Sequence, residues 1–135
     1  MDTNVVSELR KRDRCDPNVA RWFDSCPDDE IYISVLTVGE IRRGIESIRR
    51  RDIDAAAALD GWLQHVVAEH HDRIIPVDQG IAEEWGRLNV PDPLPVIDGL
   101  LAATARALGM TLVTRNTRDV ERTGANLLNP FEPER

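Results

Sequence analysis

Cysteine is scarce in this chain of 135 residues: only Cys15 and Cys26 occur, with no CxxC pair and no histidine beside them. That spacing matches no zinc-ligand pattern and supports no disulfide framework, so both read as reduced thiols. Lysine is scarcer still, with Lys11 alone. No apolar run is long enough to span a bilayer, and the start Met1-Asp2-Thr3-Asn4 lacks the basic and then apolar character of a secretory leader. The expectation is a cytoplasmic protein with no membrane association. Internal repeats, Gly/Ser linkers and biased tracts are also absent. The length fits one hydrophobic core, hence a single domain over residues 1–135.

Positive charge is in deficit. The net charge is -7 and the pI about 4.9, which on average argues against nucleic acid, since backbone binding is driven by cations. The average hides clustering, however. Between Arg42 and Arg51 stand five arginines against the single acid Glu46, and Arg10, Lys11, Arg12 and Arg14 form a second group. Both groups fit either a solvated helix face or a contact with RNA or a protein partner. His65, His70 and His71 fall on or just beyond one expected helix; two are adjacent and so point in different directions, which fits a surface or boundary role rather than metal ligation.

What is present is an alternation of short strands and helices, punctuated by Asp-Pro, Pro-Asp and Gly. Val5 to Leu9 reads as a short helix, and Asp16-Pro17 supplies a cap and an N1 proline for a second helix to about Ser25. Ile31 to Val35 is strand-like by its β-branched and aromatic content. Thr37-Val38-Gly39-Glu40 then opens a helix with Ile41, Ile45 and Ile48 on one face, and another runs from about Asp54 to Ala68. Ile74 to Val77 is a short strand; Asp78 caps a helix to Leu88; Pro91 to Pro95 is a loop. Val96 to Leu108 is a helix closed by Gly109, with Leu100, Leu101, Thr104 and Leu108 on its buried side. Thr111 to Thr114 and Ala125 to Leu128 complete the strands. This order predicts an α/β fold whose parallel sheet is covered on both faces.

Four acids stand where such a sheet gathers its loops: Asp2 before the first helix, Glu40 and Asp98 in the first turns of helices, and Asp119 after a strand. Two carboxylates about 6 Å apart repel by roughly 3 kcal/mol at an effective dielectric near 20, so four together call for a cation or for protonation. Oxygen-only ligands favour Mg²⁺ or Mn²⁺, which can activate a water and stabilise a leaving oxygen. Each acid also has a plain structural use. Thr37-x-x-Glu40 fits a capping box, Asp2 and Asp98 fit helix N-termini, and Asp119 fits a surface turn.

The words around these acids are more specific. Asp2-Thr3-Asn4-Val5-Val6-Ser7-Glu8-Leu9, Thr37 to Gly44, Ile97-Asp98-Gly99 through Ala105, and Leu112-Val113-Thr114-Arg115-Asn116-Thr117-Arg118-Asp119 resemble, in order and spacing, the PIN-domain ribonucleases, and among them the VapC and FitB-like toxins of toxin–antitoxin pairs. The resemblance covers essentially the whole chain. It implies a three-layer α/β/α fold with a central parallel sheet, and a metal-dependent endoribonuclease with catalytic and Mg²⁺ or Mn²⁺-binding roles on Asp2, Glu40, Asp98 and Asp119. It also implies supporting polar roles for Thr3, Asn4 and Asn116. The implied partners are a VapB/FitA-like antitoxin docked along the helices near Val5–Leu9 and Glu40–Arg51, an RNA substrate such as transfer or ribosomal RNA, and a second copy in a homodimer or toxin–antitoxin hetero-oligomer.

One departure stands out. The family carries several apolar residues ahead of the first acid as a central strand, and here only Met1 precedes Asp2. The expectation is a first strand reduced to a stub, or a natural start upstream. The alternative function is a PIN-like module that binds RNA or antitoxin with weak catalysis. A phosphoryl-aspartate phosphatase is disfavoured because Asn4 stands where a second Asp would be needed. The lack of any lysine beyond Lys11 likewise disfavours a response-regulator receiver.

Overall fold

The computed structural model describes residues 1–133. Its helix starts follow from side-chain oxygens placed where backbone N–H groups lack partners. Asp2 caps α1 (Thr3–Leu9), Asp16 with Pro17 starts α2 (Pro17–Ser25), Ser34 caps α3 (Val35–Arg49), Asp52 caps α4 (Ile53–Glu69) and Asp78 caps α5 (Gln79–Leu88). α6 (Val96–Leu108) follows the proline loop and ends at Gly109, whose φ of 65° is the left-handed conformation that glycine adopts without a Cβ clash. A last short helix, α7, covers Thr117–Val120.

The strands are very short. β1 (Ile33–Ser34) pairs with β2 (Ile74–Ile75), and β3 (Thr111–Val113) pairs with β4 (Asn126–Leu128), both parallel. The N-terminus stands between the two pairs. The Met1 amino nitrogen donates to Tyr32 O at 3.0 Å and Asp2 N donates to Val113 O at 3.0 Å, giving the spatial order β2, β1, Met1–Asp2, β3, β4. The expected central strand is thus present as two residues. Burial pushes the Met1 amino group down to about 6, with Asp2 opposing the shift.

Alternation along β3 shows the three layers. Leu112 packs with Leu101, Ala102 and Ala105 of α6, whereas its neighbour Val113 packs with Val5 of α1 and Val19 of α2. Consecutive strand residues face opposite sides, so helices cover both faces of the sheet. A further cluster, Val6, Ile41, Ile45, Ala56 and Leu63, joins α1 to the α3–α4 hairpin. Among the described residues, no helix is long and apolar enough to cross a membrane.

Several local expectations need correction. Val35 belongs to α3 rather than to the strand, because Ser34 turns its hydroxyl onto Leu36 N and starts the helix there. Thr37 therefore lies inside the helix, and it donates to Met1 O instead of forming a capping box with Glu40. Pro76 and Val77 lie outside β2. Leu108 is 44% exposed, since α6 turns its small residues, Ala102, Ala103 and Ala105, to the core and its last turn projects past the sheet.

The arginine clusters also resolve. Arg42 and Arg49 reach Asp60 of α4 at 2.9 and 3.3 Å, and Arg49 also reaches Glu46 at 2.7 Å. Lys11 pairs with Glu8 at 2.8 Å, and the Arg10 guanidinium lies 5.8 Å from the Trp62 ring centre. Part of the excess positive charge is thus spent within the fold.

Candidate active site

The carboxyl ends of the strands bring the sequence-selected acids to one region, each through its own element. Asp2 is 4% exposed at the join of the stub and α1. Its Oδ1 accepts from Val5 N at 3.2 Å, so the residue does cap α1 as its position suggested, while Oδ2 accepts the Thr114 hydroxyl. One carboxylate thus performs both the structural role and a pocket role, using a different oxygen for each.

Asp98 stands in the first turn of α6, which has no side-chain cap at Pro95. Its position depends on Gly99 beside it. A Cβ there would stand 3.2 Å from Leu94 Cβ and 3.4 Å from Trp85 Cδ1, so the glycine lets the helix start lie close against α5 and the proline loop. Asn116 then ties the pocket together. Its amide Nδ2 donates to Asp98 Oδ2 at 3.0 Å and to Asp119 Oδ2 at 2.6 Å. Its own backbone N–H donates to Thr114 Oγ1 at 3.0 Å. Glu40, one turn into α3, accepts the Thr3 hydroxyl on Oε1 at 2.6 Å.

A continuous chain of hydrogen bonds therefore runs from Asp2 through Thr114 and Asn116 to Asp98 and Asp119. Glu40 joins the group from the α1 side through Thr3. Electrostatics agrees with the geometry. Burial, followed by the charges of Asp2, Asp119 and Glu40, pushes the Asp98 carboxyl above its ordinary value, and the Asn116 amide only partly offsets this. Burial pushes Asp2 up as well, opposed chiefly by the Thr114 hydroxyl. Four acids that raise one another's proton affinity form a region of negative potential suited to a cation.

The donor set is oxygen only, which matches a hard divalent ion, but among the described residues no three Asp, Glu, His or Cys side chains already converge as a finished ligand cage. Asn116 occupies the space between two of the carboxylates. Asn4 is exposed and contributes no side-chain hydrogen bond, unlike its expected partners Thr3 and Asn116. Thr114 is the residue that sequence reasoning passed over. It is 2% exposed at the end of β3, and the signal available was its place as the last strand-like residue before the loop carrying Asn116 and Asp119. Neither cysteine enters this network, and both are free thiols.

Comparison with known proteins agrees with this arrangement. The family model described as PIN domain matches residues 1–126. The chain is 33% identical to "VapC ribonuclease Y4jK" of Sinorhizobium fredii, covering 98% of this chain and 97% of that protein. It is 28% identical to "Toxin FitB" of Neisseria gonorrhoeae, over 97% of this chain and 96% of the other. The crystal structure of FitAcB from Neisseria gonorrhoeae superimposes with a TM-score of 0.87 at 27% identity, covering 96% of each chain. A match over nearly the whole length, on a fold whose strand ends collect the same acids, places this chain in the PIN domain family.

Proposed function

We propose that this protein is a metal-dependent endoribonuclease acting as the toxin of a toxin–antitoxin pair, with Asp2, Glu40, Asp98 and Asp119 as its catalytic and metal-binding residues. The observation that carries the reading is Asp98: a partly buried carboxyl whose proton affinity is raised by three further acids and whose orientation is fixed by Asn116. Stability alone gives no reason to gather like charges in this way. The relatives' names, a VapC ribonuclease and a toxin, support the same activity.

The four carboxylates fit Mg²⁺ or Mn²⁺ by donor type. Such an ion, when bound, lowers the pKa of a water and offsets charge on the scissile phosphate and the leaving oxygen. The chain's own residues do the rest. Thr114 and Val5 N hold Asp2 through its two oxygens. Thr3 fixes the rotamer of Glu40, and Asn116 keeps Asp98 and Asp119 aimed at one space. Attack by water on phosphorus leaves a 5′-phosphate and a 3′-hydroxyl, with no protein nucleophile.

The substrate is RNA, with exposed loops of transfer or ribosomal RNA as the accessible class, because unstacked single strands can enter a side-chain pocket. The partner is a VapB/FitA-like antitoxin, and the working location is the cytoplasm. To test this, the purified chain and Asp98→Asn are incubated with total bacterial RNA in Mg²⁺, in Mn²⁺ and in EDTA, and new 5′ ends are mapped. Discrete metal-dependent cuts absent from the variant are expected. Cuts that persist in EDTA, or equal cutting by the variant, would refute the assignment; RNA binding without cutting would favour a binding module.

A further inference from the structure

The sheet is open at its centre. β1 and β3 face one another across a gap that Met1 and Asp2 close at one end only, and the remainder is a cavity of about 380 Å³. Its walls include Ile75, Leu101, Met110, Leu112 and Leu128, with Tyr32 and Val113 along the two strand edges. A single water takes roughly 30 Å³, so this is space on the scale of several side chains.

The backbone on both sides of the gap is aimed at a missing strand. Backbone groups of successive strand residues point to opposite sides. Ile33 N donates to Arg73 O toward β2, so Tyr32 faces the gap, and its carbonyl does accept from Met1 N. Thr114 N donates to Leu128 O toward β4, so Val113 and Thr111 face the gap, and Val113 O does accept from Asp2 N. Met1 and Asp2 therefore already follow the parallel ladder, bonding alternately to β1 and to β3.

Extending that ladder backwards fixes a register. The residue joined ahead of Met1 would donate to Thr111 O and accept from Val113 N. The residue before it would donate to Glu30 O and accept from Tyr32 N. All four of these wall residues line the cavity. The side chains of such a strand would alternate between the α6 face and the α1–α2 face, both apolar, so an apolar sequence is required.

We propose that this gap is a strand-accepting slot, and that its occupant is an extended apolar segment of about three residues joined to the backbone at Met1 and parallel to β1 and β3. A joined segment fits better than a separate peptide or a second copy. It arrives at high effective concentration and in the direction Met1 already sets, whereas a free strand must also meet the entropy cost of association. Filling the slot would also clamp Asp2 between β1 and β3 from the chain side.

The test compares the 135-residue chain with versions carrying Val-Ile-Val, Ser-Asn-Ser or Val-Ile-Pro directly ahead of Met1. Each is followed by thermal unfolding, amide hydrogen exchange and light scattering. The Val-Ile-Val version is expected to raise Tm by about 5 °C or more as a species of unchanged oligomeric state, and to slow exchange at Tyr32 and Val113 at least about tenfold. Ser-Asn-Ser is expected to give less than half that rise for want of apolar side chains. Val-Ile-Pro is expected to do the same, because proline cannot donate to Thr111 O. Equal Tm for the apolar and polar versions, or unchanged exchange at Tyr32 and Val113, would overturn the proposal. So would stabilisation seen only on dimer formation, or equal protection by added acetyl-Val-Ile-Val-amide, which would assign the slot to a second copy or to a separate peptide. None of these readouts involves RNA or metal, so the result stands apart from the nuclease assignment.

Discussion

On the α3–α4 face, Arg42 and Arg49 close around Asp60, and hydrogen bonds from Arg42 and Gln64 hold the Asp60 carboxyl down to about 2. Around Asn116 the opposite is seen: Asp98 is pushed upward, with burial and three other carboxylates acting in one direction. The first cluster is self-neutralising and solvent-facing. The second gathers one sign of charge and has only neutral amide and hydroxyl donors to hold it. Opposite charges at a surface contribute little stability, and like charges drawn together cost it. The difference separates a region shaped by folding from one shaped by what it must bind.

The sharpest way to break this contrast is to neutralise the acid pocket. Asp98→Asn is expected to lower RNA cleavage by about 100-fold or more while leaving the fold intact, as measured by initial rates and circular dichroism side by side. Thr114→Val comes next. Removing the hydroxyl that holds Asp2 Oδ2 and accepts Asn116 N should cost about 10- to 100-fold in metal affinity or rate, and added Mg²⁺ should recover part of it.

A smaller effect lies in the pH dependence of stability. Asp2 and Asp98 have folded-state values above the ordinary 3.8, so the folded chain holds these protons more tightly than the unfolded one. Their contribution is favourable below about pH 4 and is lost as pH rises through the folded values. Without metal, Asp98→Asn should therefore raise Tm at pH 7 by a few degrees, and the gap to the parent should close as pH falls toward 4. Asp60 has the reverse sign: its lowered value adds stability above the ordinary 3.8 that fades on acidification. The smallest change is expected there, because the group is solvent-exposed. Asp60→Asn should shift Tm by no more than about 2 °C at low salt and by less in about 0.5 M salt, with cleavage unchanged.

Much of this architecture was legible from residue types. The caps at Asp16, Asp52 and Asp78 and the stop at Gly109 work through local chemistry, and a local rule suffices to find them. The three-layer arrangement followed from strand–helix alternation. What was not legible depended on partners distant in sequence. Ser34 rather than Thr37 starts α3, because Thr37 is drawn to Met1 O across 36 positions. Leu108 looked core-facing by periodicity, yet the sheet ends before it. The four acids could be picked out through the words around them, whereas Thr114 could not, since its importance lies in a hydrogen bond to Asp2 that spans almost the whole chain.

The Asn116 side chain has one amide nitrogen with two hydrogens, and both are engaged, one by Asp98 and one by Asp119. Rotation of that amide away from either acid releases the other at the same moment, so the two carboxylates are mechanically coupled and respond as one unit. In spectroscopic terms, a single pair of side-chain amide proton resonances reports on both. Titrating a ligand into the pocket should shift the two signals together, with one midpoint.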